Sequence, residues 1–195
     1  MSRNKPPAHN ERFSFRHTFV ILLLALLLAS CGNNRQQADY RQDMTVFAYL
    51  PSAIDTIRVT HRLDTLSSFT LIHEQDTVWT IKPLVEQSFN NLNNNLLRRY
   101  LSYYGQVVAD SIVTSDNKEL TAIVDHTHWQ YGIYIGSRQK NCRTVQIYGI
   151  PSADGQDYDT DKCLIYIVET KEIMKASWIS FDILLKKFQD FVEKK

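Results

Sequence analysis

The sequence predicts an α+β fold: an antiparallel sheet made of two strand series, one central amphipathic helix and a C-terminal helix. Three observations lead to this prediction. Apolar and polar residues alternate between turn-forming residues in two separate stretches, as in half-buried strands. Between those stretches, apolar residues recur every three or four positions, as on the buried face of a helix. The same helical spacing returns near the C-terminus, so helix and sheet are expected in one domain.

The first strand series is predicted to be an antiparallel meander of three strands. In its first strand, Ile57, Val59 and His61 fall on one face, because successive side chains point to opposite sides of a sheet. The next two strands are predicted at 69–74 and 78–81.

A central helix of about 20 residues is predicted from Pro83 onward, since proline suits the first turn of a helix. Gly105 is expected to end it. Its buried face is formed by apolar and aromatic residues at spacings of three and four, namely Val85, Phe89, Leu92, Leu96, Tyr100 and Tyr103.

The second strand series follows the helix, and a last helix closes the chain. The strands are predicted at 107–113, 119–125, 129–137, 143–150 and 163–169. Ser180 is the expected N-cap of the last helix. Its buried stripe is formed by Phe181, Leu184, Leu185, Phe188, Phe191 and Val192.

Residues 1–30 have the pattern of a secretory signal peptide and are predicted to lie outside the fold. A basic leader precedes an unbroken apolar run at 19–29. That run is too short for a membrane-spanning helix, which needs about 20 residues. A basic leader, a short apolar core and small residues at its end are typical of a cleaved signal.

The end of this segment, Leu28-Ala29-Ser30-Cys31, resembles the bacterial lipobox. The resemblance implies cleavage before Cys31 and attachment of diacylglycerol to its sulfur, with several acyl chains anchoring the protein to a membrane. Gly32 follows the cysteine, as in lipoproteins sorted to the outer membrane, so the expected location is that membrane, with the domain on its periplasmic face. The alternative is an ordinary signal peptide followed by a chance cysteine.

The remaining chain is predicted to comprise a lipidated cysteine with a polar, flexible tether at 31–44 and a single α+β domain at 45–195. The chain has 22 Lys+Arg and 21 Asp+Glu. Removing the four basic residues and one acidic residue of 1–30 leaves 18 and 20, so nucleic acid is not an expected partner.

Two cysteines, Cys142 and Cys163, remain in this domain. If the strands at 143–150 and 163–169 pair as a hairpin, these residues lie about 25 Å apart, at opposite ends. A disulfide needs a Cα separation below about 7 Å. We therefore expect two free cysteines.

Several short apolar motifs follow one another along the chain: Ile54-x-x-Ile57-x-Val59, Phe69-Thr-Leu-Ile, Trp79-Thr-Ile81, Leu96-Leu97 and Tyr134-Ile-Gly136. Their order resembles a widespread domain of unknown function in bacterial envelope proteins, many of them membrane-anchored. The resemblance covers roughly residues 54–170 and implies no catalytic residues. The family's Gly-Thr-Tyr step is replaced here by residues 137–155.

Two groups of residues have partial metal-ligand spacing. His126 and His128 supply two of the four ligands that zinc requires, and a polar turn is the favoured interpretation. Asp157, Asp159 and Asp161 resemble the start of a calcium-binding loop, but its glycine and closing glutamate are missing. These aspartates are weak candidates, and no metal or other cofactor is predicted.

Four triplets combine aspartate, a hydroxyl residue and an aliphatic residue, where composition alone predicts about one. They resemble the O-glycosylation acceptor of some Gram-negative envelope proteins. The favoured alternative is turn chemistry, because Asp and Thr side chains bond nearby backbone amides before a strand. The hydroxyl residues are Thr56, Thr65, Thr77 and Ser111.

No motif of a catalytic nucleophile or a phosphate-binding loop is present, so an enzyme is not predicted. Tyr100, Tyr103 and Tyr104 form either a contact patch or part of the core.

The leading hypothesis is a membrane-anchored envelope lipoprotein that acts as a non-catalytic interaction module or complex subunit, with another envelope protein as its partner. The alternative is a periplasmic lipoprotein that binds a ligand or a glycan.

Overall fold

The computed structural model describes residues 44–47, 53–74, 78–89, 91–137, 142–152 and 154–193. The predicted signal peptide, Cys31 and most of the tether lie outside the described residues. Met44, predicted as the last tether residue, is buried, and its carbonyl accepts a hydrogen bond of 2.9 Å from the Ala109 amide. Met44 therefore belongs to the folded domain. No helix within the described residues is long and apolar enough to cross a membrane.

Within these residues the chain forms eight strands and two α-helices. In chain order they are β1 (Ile54–His61), β2 (Phe69–His73), β3 (Trp79–Pro83), α1 (Asn94–Tyr103), β4 (Ser111–Ile112), α2 (Lys118–His126), β5 (Tyr131–Ser137), β6 (Cys142–Pro151), β7 (Tyr158–Ile167) and β8 (Glu172–Ser177).

All eight strands belong to one antiparallel sheet, in the order β3-β2-β1-β5-β6-β7-β8-β4. Two meanders meet where β1 pairs with β5, with Ile57 opposite Ile135 and Val59 opposite Ile133. The broad α+β prediction and the meander of the first three strands are confirmed. The helices, however, differ from those predicted.

The two faces of the sheet are covered by different elements. The face that carries Ile57 and Ile135 packs against α1 and the C-terminal segment, residues 178–193. The opposite face is covered over β6 and β7 by α2, where Ile123 contacts the side chains of Tyr148 and Leu164. Because successive side chains of a strand point to opposite faces of the sheet, the strands contribute apolar side chains to the packing on both faces.

The central helix is half as long as predicted. Pro83 is the last residue of β3, and α1 begins only at Asn94. Asn93 is the N-cap, and its side chain accepts a hydrogen bond of 3.0 Å from the Leu96 amide. Asparagine favours such caps over helix interiors because its side chain competes for backbone hydrogen bonds. The asparagine-rich stretch therefore starts the helix instead of extending through it.

The strand predicted at 119–125 is wrong, because these residues form helix α2. Asn117 is its N-cap, and its side chain accepts a hydrogen bond of 3.2 Å from the Leu120 amide. Leu120, Ile123 and Val124 then face the sheet at helical spacing. The preceding predicted strand at 107–113 is reduced to the two-residue β4.

The predicted C-terminal helix is also wrong, although most of its predicted stripe is buried. The C-terminal segment contains two short 3₁₀ turns, Trp178–Ser180 and Phe188–Asp190, and Ser180 caps no α-helix. Its backbone forms hydrogen bonds with the residues that precede α1. For example, the Asn93 amide donates to the Phe191 carbonyl at 2.7 Å. Short-range bonds within the turns and these bonds to the residues before α1 together satisfy backbone groups that a regular helix would pair internally.

Strand β8 was not predicted, and β7 begins at Tyr158, five residues earlier than expected. The turn between them places Lys171 at φ 60°, a conformation that glycine and asparagine adopt more readily than lysine.

The expectation of two free cysteines is confirmed. Cys142 pairs with Gly136 at one end of β6, whereas Cys163 pairs with Gly149 near the other end.

Candidate functional site

Two adjoining clefts lie along the C-terminal segment. The first, here called the α1 cleft, has a volume of about 780 Å³ and separates α1 from residues 179–186. The second, the Tyr131 cleft, has a volume of about 540 Å³ and opens beside β5. They share Ile179, Asp182 and Lys186, so they form one continuous surface divided by a ridge.

One face of α1 lines the α1 cleft. Leu96, Arg99 and Tyr103 follow one another at spacings of three and four, so they lie on the same side of the helix. Val107 and Ile183 complete the apolar part of the lining.

The predicted tyrosine patch is divided between core and cleft. Only Tyr103 lines the cleft and is half-buried, whereas Tyr100 and Tyr104 are fully buried. The interpretation of all three as a contact patch is therefore wrong. Tyr100 and Tyr104 belong to the core instead, where their rings pack against those of Phe69 and Phe47.

The two buried tyrosines hold the C-terminal segment behind the clefts. Their hydroxyl oxygens lie 2.6 Å apart, and the Tyr100 hydroxyl donates a hydrogen bond of 3.2 Å to the Leu184 carbonyl. Tyr104 is therefore the donor to Tyr100. Burial raises the pKa of both phenols above the ordinary value, so both stay protonated donors.

Ile179 forms the ridge between the clefts and is 83% exposed. It sits in the 3₁₀ turn Trp178–Ser180. The Trp178 indole donates a hydrogen bond of 3.0 Å to the Asp159 carbonyl, and its ring packs edge-on against Tyr131 at 6.1 Å. Trp178 is half-buried by these contacts, whereas the next side chain, Ile179, extends into solvent. Sequence reasoning missed Ile179, which precedes the predicted apolar stripe.

The Tyr131 cleft has aromatic walls and charged rims. Tyr131 and Trp178 form the walls, and Lys187 and Asp190 lie at the rim. It continues into a smaller hollow of about 140 Å³ that contains His61 and Leu63. Leu63 is 90% exposed, so a second large aliphatic side chain flanks this surface.

Two ion pairs between described residues lie around the clefts. Lys186 Nζ lies 3.3 Å from Asp182, and Lys187 Nζ lies 3.5 Å from Asp64. A hydrogen bond from Ser67 lowers the pKa of Asp64. Exposed pairs of this kind contribute little to stability, because water screens the attraction between their charges. The clefts therefore offer apolar and aromatic contacts inside a rim of mixed charge.

His61 connects the sheet to the C-terminal segment. Its ring is buried, and Nε2 lies 3.2 Å from the Lys186 carbonyl, which requires the proton of the neutral ring to be on Nε2. The ring packs edge-on against Tyr131 at 5.2 Å. Burial lowers the pKa of His61, outweighing the hydrogen bond to Lys186 and the charge of Asp64, so the folded protein favours the neutral ring.

His61 is expected to make the fold less stable in mild acid. The unfolded histidine takes up a proton near pH 6.5, whereas the folded one resists protonation, so its contribution is present above that pH and lost below it. Between about pH 7 and 5, His61→Phe should flatten the fall in unfolding free energy. Urea unfolding at a series of pH values measures this, with exposed His128→Phe as the control. Equal slopes for wild type and His61→Phe would contradict the prediction.

The predicted metal candidates are not brought together. No group of three or more His, Cys, Asp or Glu in the described part of the chain is placed to hold a metal ion. Asp159 accepts hydrogen bonds from the Asp161 and Lys162 amides at 2.8 and 3.0 Å, and Asp157 accepts one from the Tyr158 amide at 2.8 Å. These aspartate side chains accept hydrogen bonds from backbone amides at the start of β7, which is typical of aspartate in turns.

The two histidines lie at the end of a helix. His126 is the last residue of α2, and His128 follows it in an exposed loop, so the predicted turn between two strands is a helix terminus.

The four glycosylation candidates have different surroundings. Thr56 is half-buried within β1, which is paired on both sides, and Ser111 is half-buried in β4. Thr65 is exposed in a 3₁₀ turn, so it is the accessible one of these three. Thr77 lies outside the described residues. O-glycosylation stays a prediction for these positions.

Comparison of the chain with family models, with curated proteins and with solved structures gives no match. Membership of the envelope-domain family and lipidation at Cys31 therefore remain predictions drawn from the sequence.

Proposed function

We propose that this protein is a cell-envelope lipoprotein, anchored through lipid on Cys31, whose domain binds another envelope protein without catalysing a reaction. The observation that supports the proposal best is Ile179, an aliphatic side chain 83% exposed on a ridge between two clefts. Large apolar side chains gain most when a partner removes them from water.

The shape of this surface suits a protein partner. Binding energy at interfaces is concentrated in a few apolar or aromatic anchors, surrounded by polar residues that exclude water. Ile179 is such an anchor, the two clefts would receive side chains of the partner, and Asp182 and Lys186 form part of a charged rim.

The predicted anchor suits the same role. Residues 32–43, between the lipidated cysteine and Met44, would span at most about 40 Å when extended. A lipid anchor restricts the protein to a membrane surface, and such a tether lets the domain reach a partner there. The outer membrane, with the domain on the periplasmic side, is the proposed location.

Replacing Ile179 with aspartate is expected to abolish recovery of the partner without unfolding the domain. Full-length protein with a C-terminal tag is purified from gently solubilised native envelopes, and stoichiometric partners are identified by mass spectrometry. The matched control is Val168→Asp, which places a charge on an aliphatic position that is 38% exposed. Val168 lies in the turn after the last residue of β7, whereas Trp178, next to Ile179, bonds to Asp159 near the first residue of that strand. Wild type and Val168→Asp should retain the same partner through a salt wash, and Ile179→Asp should lose it.

Recovery of the same partner with Ile179→Asp would contradict binding at the ridge, and a wild-type protein that elutes alone would contradict the interaction function. Equal thermal melting of the three proteins shows that the fold is intact.

A second candidate, binding of a ligand or glycan, is favoured by one observation: Tyr131 and Trp178 wall a cleft whose rim carries Asp190 and Lys187. Aromatic faces with nearby polar groups suit sugar rings. A protein that elutes alone, together with a change in tryptophan fluorescence on adding fragments of envelope glycans, would support this candidate over the first.

A further inference from the structure

Strand β3 is an outer strand of the sheet. It pairs with β2 on one side, and on its other side no described residue bonds to its backbone. An outer strand offers unpaired N–H and C=O groups to any extended chain that lies beside it.

The hydrogen-bond pattern shows which groups of β3 point outward. The Glu74 amide donates to the Val78 carbonyl, and the Leu84 amide donates to the Ser68 carbonyl. Bonded and non-bonded pairs alternate along an antiparallel ladder, so the bonded residues within β3 are Thr80 and Lys82. The backbone groups of the other three residues, Trp79, Ile81 and Pro83, therefore point away from β2.

This outer edge has unequal numbers of donors and acceptors. Trp79 and Ile81 each present one N–H and one C=O, whereas Pro83 presents only a carbonyl because proline has no N–H. The edge thus offers two donors and three acceptors. A partner strand with three donors and two acceptors in register satisfies all of them.

The side chains of β3 define the chemistry of that partner further. Trp79 and Ile81 lie on the core-facing side of the sheet, where Trp79 is half-buried and stacks on His73 at 4.8 Å. Lys82, on the other side, is exposed and forms no ion pair with any described residue. An added strand would extend the core with apolar residues on one side and meet Lys82 with a carboxylate on the other.

We propose that β3 binds an extended segment of a partner protein, which joins the sheet as a ninth strand. The segment alternates apolar residues with polar ones and carries an acidic residue opposite Lys82. This goes beyond the cleft surface, because β3 and the clefts are formed by different residues and the two contacts are independent. Strand addition of this kind takes its affinity from main-chain bonds and its specificity from alternate side chains.

A second copy of the chain fits this edge less well. Each copy brings two donors and three acceptors, so two facing edges leave carbonyls unpaired in any register. Two copies would also place two lysines and no carboxylate along the shared pair of strands. Both mismatches disappear when the partner is an acidic segment without proline.

Hydrogen exchange measured residue by residue in the full chain, held in detergent micelles, tests the proposal. In the free protein the amides of Trp79 and Ile81 should exchange fast, while those of Thr80 and Lys82 are protected by β2. The probe is a synthetic peptide in which valine alternates with threonine and glutamate. At millimolar concentration it should slow exchange at Trp79 and Ile81 at least about tenfold.

Two controls separate strand addition from other binding. The same peptide, N-methylated at alternate residues, cannot form the ladder and should give no protection. Lys82→Glu should weaken protection by the acidic peptide and should favour a peptide with lysine in place of glutamate. Variants at the clefts, such as Ile179→Asp, should leave protection unchanged, which distinguishes this contact from the one proposed above.

The proposal is overturned if Trp79 and Ile81 are already protected in dilute free protein, or if the peptide and its methylated form act alike. Absence of protection up to millimolar peptide overturns it as well. Protection that rises with protein concentration alone would assign the edge to a second copy.

Discussion

Replacing Phe191 with alanine is expected to lower the free energy of unfolding by about 3–5 kcal/mol, the usual loss for a phenylalanine removed from a well-packed core. Phe191 is fully buried. Its ring centroid lies 5.1 Å from that of Phe69, on β2, and 5.1 Å from that of Tyr100, on α1. One side chain of the C-terminal segment therefore joins the sheet to the helix, and its removal leaves a cavity among all three.

Urea unfolding of the full chain measures this loss, with Ile179→Ala as the matched control in the same segment. Ile179 is exposed, so its truncation should change the free energy by less than about 0.5 kcal/mol. A loss below about 1 kcal/mol for Phe191→Ala would mean that the C-terminal segment is not part of the cooperative core.

Most of the strands were predictable because alternation along a half-buried strand is a local property, although β8 was missed and the strand predicted at 119–125 is helix α2. Ile57 and Val59 point to one face, and the same alternation in β5 lets Ile135 and Ile133 meet them across the sheet. The distance argument for free cysteines succeeded for the same reason, since it required only that β6 and β7 pair as a hairpin.

The helices were less predictable because spacing reports burial rather than backbone conformation. Phe181, Leu184, Phe188 and Phe191 follow helical spacing and are all buried, yet they belong to turns. Besides the short-range bonds of its turns, this segment forms backbone hydrogen bonds with residues 91 and 93, about 100 positions earlier in the chain. No pattern within the segment indicates that partner.

Which side chains are exposed at the clefts also depends on contacts with residues distant in the sequence. Spacing placed Tyr100 and Tyr103 on one face of a long helix, but α1 begins eleven residues later than Pro83 and packs with its Tyr100 side toward the sheet. Ile179 is exposed beside Trp178, whose indole bonds to the Asp159 carbonyl on β7. Both outcomes require tertiary contacts, and a pattern in one element contains only half of each contact.

Tyr100→Phe is expected to destabilise the domain by about 1–3 kcal/mol, clearly more than Tyr104→Phe. The Tyr100 hydroxyl is the middle of a buried chain: it accepts from Tyr104 and donates to the Leu184 carbonyl. Removing it leaves both a buried donor and a buried acceptor without their partner, and each such group costs the free energy of its lost hydration.

Tyr104→Phe is the matched control, because it removes the end of the chain and leaves the bond from Tyr100 to Leu184 in place. The phenylalanine fills nearly the same volume in either variant, so packing against Phe47 and Phe69 changes little and the hydrogen bonds account for the difference. Urea unfolding of both variants measures it. Equal losses would show that the Leu184 carbonyl gains nothing from Tyr100, in which case the C-terminal segment would be held behind the clefts by its phenylalanine side chains and by its bonds to residues 91 and 93.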